Sequence, residues 1–274
     1  MIIRPRRNWF DLRLSELWRY RDLIVLFVRR DFVATYKQTI LGPLWYLIHP
    51  LLTTITFTVI FGNLAGLSTD GLPHFLFYMS GTVVWSYFAN CLTGASGTFI
   101  SHAGIFGKVY FPRLAVPMAI LLSNLIAFAI RFGLFLAFMV YFGLAGAVIR
   151  PNGWIVLTPA LLVIMAGLGL GFGIVISSMT TRYRDLTYLV SFGVQLLMFA
   201  APVIYPLSAV PDNYRWLIMA NPMTPILESF RFAFLGAGTV SGMHLLYSFG
   251  FMVGVLMVGL LIFNQVERTF MDTV

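Results

Sequence analysis

The fold is decided at residues 29–45, which read RRDFVATYKQTILGPLW. Arg29, Arg30 and Lys37 suit an anionic layer of lipid headgroups, and Gly42-Pro43 stops any helix that arrives from the amino-terminal side. Long apolar runs begin immediately after this break. The stretch therefore predicts a change of solvent, from a helix lying on a membrane to helices that cross it.

The composition of the whole chain agrees with a membrane protein. Hydrophobic residues make up 59% of the 274 and charged residues 10%, and the mean hydropathy is +0.87. A soluble domain carries about 25% charged residues. Cys91 is the single cysteine, which excludes an intrachain disulfide and a cysteine zinc site. We expect an all-α, polytopic membrane protein without a separate soluble domain.

The distribution of positive charge predicts the orientation. Nine of the eighteen Lys and Arg residues lie in residues 1–43, so the net charge of +8 indicates the positive-inside bias rather than nucleic-acid binding. With the amino end in the cytoplasm, fourteen cationic side chains lie inside, three lie outside, and Arg131 falls within a span. Both termini are therefore predicted to be cytoplasmic.

Hydropathy divides the chain into three parts. Residues 1–43 hold a tail and an amphipathic helix over 13–37, residues 44–263 hold the spans, and residues 264–274 form a second tail. A span needs roughly 20 apolar residues. Six segments meet this length: 44–64, 73–99, 114–142, 154–179, 187–205 and 245–263.

Segment 206–244 is too long for a tight turn, and its apolar pieces are too short to span a bilayer. Four prolines interrupt it. The pattern predicts one or two short helices that dip back from the outer face, which requires their backbone to be buried in protein or to line a cavity. A surface amphipathic loop explains the same pattern equally well.

Motifs for catalysis are missing from the sequence. The single Gly-Lys pair, Gly107-Lys108, lacks the earlier glycine and the following Ser or Thr of a phosphate-binding loop. The four histidines are scattered, and no two carboxylates lie at helical spacing within a span. We therefore expect a conduit that binds no cofactor itself and whose energy comes from another protein.

Arg131 is the one charge that falls clearly within a span, which makes it a candidate functional residue. The alternative is that it reaches the outer interface or pairs with a carboxylate such as Glu228. Arg131 lies ~25 Å along its span, which favours this alternative.

The loop Ser101–Arg113 joins the second and third spans on the inner side. Exposed Ile105, Phe106, Tyr110 and Phe111 suggest a docking patch for a protein partner. Contact with lipid headgroups is an equally good interpretation. Aromatic residues such as Trp45 and Tyr46 are candidates for lining a pore, although each is more typical of an interfacial belt.

Four short motifs, in order along almost the whole chain, resemble type-2 ABC exporter permeases, most closely those that export lipid-linked O-antigen polysaccharide. Residues 29–50 carry the first motif. The others are YFPRL at 110–114, RYRDL at 182–186, and PVIY at 202–205 followed by Pro211, Asn221-Pro222 and Phe230-Arg231.

The resemblance implies a homodimer in the bacterial inner membrane, with a channel between six-span subunits and two separate cassette subunits that bind ATP and Mg. Its cargo would be an undecaprenyl-pyrophosphate-linked polysaccharide. Three groups of residues carry the implied roles. Substrate binding falls to Arg30, Tyr36, Lys37, Trp45, Tyr46 and Arg131. The residues expected to contact the ATPase are Gly104, Ile105, Phe106, Lys108, Tyr110, Phe111 and Arg113. The periplasmic gate consists of Tyr205, Trp216, Asn221, Pro222, Glu228 and Arg231.

Two kinds of alternative remain open from the sequence. Within transport, the cargo could be teichoic acid, capsule or a small amphiphile, because permeases for these share much of the pattern. From another class, a membrane-embedded glycosyl- or acyltransferase would need paired carboxylates or a histidine base near the interface, and none is evident.

Overall fold

The computed structural model describes residues 18–36, 41–101, 104, 111–180 and 185–273. These residues form helices and turns with no strand among them, as the sequence predicts. Within the described ranges, the helices of eight or more residues are α1 (Arg21–Tyr36), α2 (Trp45–Phe57, continued as a π-helix over Thr58–Leu64), α3 (His74–Ser96), α4 (Ala115–Leu144), α5 (Thr158–Thr180), α6 (Leu186–Phe199), α7 (Asp212–Met219), α8 (Met223–Leu235) and α9 (Gly242–Thr273).

Helix α1 lies against α4. Its inner face buries Ile24 and Phe27, whereas Arg29 and Arg30 are exposed. The chain then turns into α2 through the 3₁₀ turn Gly42–Leu44, where Gly42 has a φ of +48°. A side chain at that φ would be strained, which explains the glycine at the break. The described part of the predicted amphipathic helix is therefore confirmed as a helix with one buried face.

Among the residues that the structure describes, four helical segments are long and apolar enough to cross a membrane. They correspond to the first, third, fourth and sixth predicted spans: Trp45–Leu64, Ala115–Leu144, Gly153–Thr180 and Gly242–Phe263.

Helix α3 occupies the position of the second predicted span and forms the centre of the bundle. It packs against α2, α4, α5, α6 and α8. Most of its 23 residues are buried, among them Tyr78, Cys91 and Ala95, each fully inaccessible. Its serines, threonines and asparagine make it less apolar than the four segments above, which a helix surrounded by protein tolerates.

Helix α6 is shorter than the predicted fifth span, 187–205. It ends at Phe199 after 14 residues, and residues 200–205 are irregular. Pro202 has no amide hydrogen to continue the helix. The carbonyls of Pro202 and Val203 instead accept hydrogen bonds from Arg231.

Helix α5 packs closely on two neighbours through two glycine pairs of the small-xxx-small type. Gly169 and Gly173 face α3, and Gly167 and Gly171 face α9. A Cβ at Gly173 would lie 2.4 Å from the Cβ of a neighbouring alanine on α3. Both pairs were visible in the sequence, and the structure assigns each to an interface.

Two short helices, α7 and α8, occupy segment 206–244, as predicted. Helix α7 has no buried residue, whereas nearly all of α8 is buried. Side chains of α9 bind the turn between α7 and α8. The Tyr247 hydroxyl donates to the Ala220 carbonyl (2.7 Å), and the Ser248 hydroxyl donates to the Pro222 carbonyl (2.8 Å). The dip into the membrane stays a prediction.

Candidate functional site

A cleft of about 220 Å³, in which several polar groups interrupt a mainly apolar lining, opens among α2, α3, α4 and α6. We call it the Arg131 cleft. Its walls combine a cation, a histidine, hydroxyl groups, an amide and an indole. The lining residues are His49, Pro50, Thr53, Thr82, Trp85, Ser86, Ala89, Asn90, Arg131 and Met198.

Arg131 lies near the middle of α4, yet its side chain points toward the end of the bundle where α1 packs. Its Nη1 donates to the Ser86 hydroxyl at 2.8 Å, and its guanidinium carbon lies 6.0 Å from the ring centroid of Tyr46. Tyr46 belongs to the first turn of α2 and stacks on Phe32 of α1, with centroids 6.3 Å apart. These contacts connect α1 to the core.

The expected pairing of Arg131 with Glu228 is wrong. One carboxylate oxygen of Glu228 accepts from the Thr239 amide (2.9 Å), and the other lies 3.7 Å from Arg231. That Arg131 reaches the outer interface stays a prediction.

Arg30 and Trp45, two further residues predicted to bind substrate, do not line this cleft. Arg30 donates to the Asp31 carboxylate from Nε (2.9 Å) and Nη2 (2.7 Å), so its charge is partly balanced. Trp45 is exposed at the start of α2. The side chain of Tyr36 and the whole of Lys37 lie outside the described residues.

Of the predicted coupling residues, Gly104, Phe111 and Arg113 are described. Gly104 is helical and exposed. The expectation that Phe111 is exposed is wrong: it is buried, and its ring meets Phe27 of α1 edge-on at 5.7 Å. Arg113 is buried as well. The other four, Ile105, Phe106, Lys108 and Tyr110, lie outside the described residues.

The strongest buried polar arrangement lies at the predicted gate, and we call it the Arg231 clamp. Arg231 is 2% exposed. Its Nη1 and Nη2 donate to the carbonyls of Pro202 and Val203, the latter at 2.7 Å, and its Nε donates to the Ser80 hydroxyl at 3.3 Å. The guanidinium carbon lies 3.8 Å from the ring centroid of Phe77. The clamp therefore ties α8 to α3 and to the irregular stretch after α6.

Glu228 extends the clamp to the turn after α8. One carboxylate oxygen lies 3.7 Å from Arg231, and the other accepts from the amide of Thr239. Gly81 makes room, because a Cβ there would lie 2.7 Å both from Nη2 of Arg231 and from the Val203 carbonyl. The sequence predicted Glu228 and Arg231 as gate residues, but it contained no signal for the contacts of Arg231 with Ser80 and Phe77 on α3.

The other predicted gate residues lie between residues 205 and 222 and make contacts of their own. The Tyr205 hydroxyl donates to the Phe199 carbonyl at 3.0 Å. Asn221 donates to the Ala200 carbonyl and accepts from the amide of Met223, which caps α8 just after Pro222. Trp216 is exposed on α7 and lines a second cleft of about 360 Å³, the Trp216 cleft. Its other lining residues are Leu207, Arg215, Met219, Thr239, Val240, Ser241 and His244.

Known proteins resemble this chain over most of its length. Residues 22–235 match the family described as ABC-2 type transporter. The chain is 28% identical over 254 residues to the O-antigen export system permease protein RfbA of Klebsiella pneumoniae, covering 92% of this chain and 94% of the relative. The RfbA protein of Myxococcus xanthus is 28% identical over 223 residues, or 81% and 83% of the two chains. The polysialic acid transport protein KpsM of Escherichia coli is 22% identical over 249 residues, or 89% and 93%.

Proposed function

Since this chain belongs to the ABC-2 type transporter family, we propose that it is the channel-forming permease of an ATP-driven exporter for undecaprenyl-pyrophosphate-linked polysaccharide. The observation that carries the proposal is the similarity to an O-antigen export permease over 92% of the chain. A sugar chain cannot cross ~30 Å of hydrocarbon unaided, so a hydrated route is required. Permeases of this family work with ATP-binding subunits, and we place ATP and Mg in that partner.

Six crossings fit the described helices if α3 and α6 are counted with the four apolar segments. Helix α3 has 23 residues and so a length of about 35 Å, enough for the ~30 Å hydrocarbon layer. Most of its polar side chains are buried by neighbouring helices, and Ser86 and Asn90 line the Arg131 cleft. Both termini then lie in the cytoplasm of a bacterial inner membrane, in agreement with the charge distribution.

The fifth crossing combines a helix with irregular backbone. Helix α6 spans only about 21 Å with its 14 residues. Irregular backbone at membrane depth must be buried in protein. Residues 201–203 are buried, and Arg231 satisfies two of their carbonyls. The same argument supports α8 as a re-entrant helix, because it is too short to span and almost wholly buried.

A second copy of the chain is the partner within the membrane. Helix α2 exposes Leu52, Ile55 and Val59, and α6 exposes Leu189 and Phe192. Both helices also line the Arg131 cleft. A homodimer packed through these apolar faces would enclose a route whose wall includes the Arg131 cleft.

We place two events at the end of the bundle that carries α1: the entry of the lipid headgroup, and the coupling of transport to ATP hydrolysis. A pyrophosphate needs cationic partners there. Arg30 and Lys37 are the proposed cationic partners, and Arg30 also binds Asp31. The loop 101–113 is proposed as the contact with the ATP-binding subunit, and burial of Phe111 under α1 would let that contact move α1.

Capsular polysaccharide is a second candidate cargo, favoured by the similarity to a polysialic acid transport protein over 89% of the chain. The cargo is tested by co-expressing the chain with its ATP-binding subunit in bacteria that synthesise one lipid-linked polysaccharide and lack their own exporter. We expect polysaccharide on the cell surface, and none when the ATP-binding subunit is inactivated by substitution.

Separate strains that make O-antigen, capsule or teichoic acid distinguish the cargoes. Failure to export any of them, despite a complex that assembles, would refute the proposed function. Chemical modification of the glycan or lipid by the purified chain alone would favour a membrane-embedded glycosyl- or acyltransferase instead.

A further inference from the structure

The Arg131 cleft offers hydrogen-bond acceptors as well as donors. The hydroxyls of Thr53, Thr82 and Ser86 donate to carbonyls of their own helices, at 2.9, 3.1 and 3.0 Å. Their protons are thus used within the helix, and their oxygens are left to act as acceptors. Ser86 does so already, by accepting from Arg131. Arg131 and the Asn90 amide supply donors beside these oxygens.

This mixture distinguishes between two kinds of polar ligand. A phosphate or diphosphate is an acceptor, and it is best bound by a wall made of donors. Acceptor oxygens of Thr53, Thr82 and Ser86 would repel it. A sugar hydroxyl is both donor and acceptor, so each one can bond to either kind of wall group. The described lining therefore fits a hydroxyl-rich ligand better than a headgroup.

The shape and remaining walls of the cleft agree with a sugar ring. Trp85 and Pro50 are largely buried and add apolar edges beside the polar groups. The volume of about 220 Å³ lies below the range of roughly 300–1,000 Å³ that encloses a whole small ligand. It suits one unit of a longer chain whose remainder lies outside.

The Trp216 cleft, which lies between α7 and the start of α9, is lined by several of the same residue types. It combines Arg215, Trp216 and His244 with the hydroxyl residues Thr239 and Ser241. The Arg131 cleft likewise has one arginine, one tryptophan, one histidine and several hydroxyls. The two clefts differ in their other lining residues, since the Trp216 cleft has no amide side chain and adds Leu207 and Val240.

We propose that the Arg131 cleft binds single sugar units of the exported polysaccharide as the chain passes, with Arg131 and Asn90 as donors and the helix hydroxyls as acceptors. This inference rests on the proposed function and specifies which part of the substrate the cleft meets. The diphosphate headgroup binds elsewhere.

The test is photo-crosslinking in cells that export polysaccharide through the full complex. A photoreactive amino acid replaces His49 on α2 or Met198 on α6, both of which line the cleft. The matched control carries it at Val163, which is exposed on α5 and lines neither cleft. Mild acid then cleaves the bond between the sugar chain and the diphosphate of each adduct.

We expect His49 and Met198 adducts that keep the glycan and lose the lipid in acid, and at least ten times less glycan adduct at Val163. Adducts that lose the glycan and keep the lipid would overturn the inference in favour of headgroup binding. Equal glycan adducts at Val163, or no glycan adduct during active export, would overturn it too. Absence of export by the unmodified complex would refute the proposed function itself, and the inference with it.

A variant separates substrate binding from mere structural support. Arg131→Lys keeps the charge but loses the planar fork of donors. Loss of one charged hydrogen bond to the glycan predicts a glycan adduct at Met198 that is lower by about 10-fold. Recovery of the intact complex by co-purification should not change. A loss of complex that parallels the loss of adduct would assign Arg131 a structural role and contradict the inference.

Discussion

Replacing Arg231 by methionine removes the cation of the clamp while keeping a long side chain in its place. The carbonyls of Pro202 and Val203 then lose their donors, and the buried carboxylate of Glu228 loses its counter-charge. Interhelical hydrogen bonds in membrane proteins average ~0.6 kcal/mol, which gives a lower figure of about 2 kcal/mol for the three bonds of Arg231. A buried ion pair that loses one partner costs roughly 3–5 kcal/mol.

The expected loss of unfolding free energy for Arg231→Met is therefore about 2–5 kcal/mol. For a chain of this size each kcal/mol lowers Tm by roughly 2–4 °C, so Tm should fall by at least about 4 °C. Thermal unfolding of the purified complex in detergent, followed by tryptophan fluorescence, measures this change. The matched control is Arg215→Met, because Arg215 is half-exposed and lies 3.7 Å from Asp212. A surface pair of that kind contributes well below about 1 kcal/mol.

Glu228 provides the internal check on this reasoning. Glu228→Gln keeps an oxygen for the Thr239 amide but removes the charge. Added to Arg231→Met, it should restore about 1 kcal/mol or more, because it eliminates an unpaired buried carboxylate. Equal Tm values for Arg231→Met and Arg215→Met, or a double variant with the summed loss of the two single variants, would refute the clamp as described.

Three further predictions concern packing and the break after α1. Gly173→Ala should lower the free energy of unfolding by about 1–3 kcal/mol, measured by thermal unfolding, because the new Cβ would overlap α3. Gly250→Ala is the control: its Cβ would meet no neighbour, so the free energy of unfolding should stay the same or rise slightly. Phe27→Ala should expose position 111 to solvent. A cysteine introduced by Phe111→Cys should therefore react with maleimide several-fold faster when Phe27→Ala is also present than when it is absent. An unchanged rate would contradict the contact between Phe27 and Phe111. Gly42→Ala should destabilise by ~1 kcal/mol, since its φ is +48° and no neighbour blocks the new Cβ, and a Tm unchanged within error would contradict this.

Local features of the sequence determined most of the helix positions. The break at Gly42-Pro43, the apolar runs and the two short pieces between prolines each depend on a few consecutive residues, and the structure has helices at all of these places. Glycine pairs on α5 were visible too, but their assignment to α3 or α9 needed coordinates, because spacing alone does not name the facing helix.

Partners distant along the chain were decided by tertiary structure alone. Arg231 binds Ser80, which lies 151 residues away, and Val203, which lies 28 residues away. Arg131 turns toward Ser86 and Tyr46 rather than Glu228, and Phe111 lies under α1 rather than on the surface. Hydropathy and helical period report which side of a helix avoids water. Which side chain meets which depends on how the helices cross, so these partners emerge only when the bundle packs.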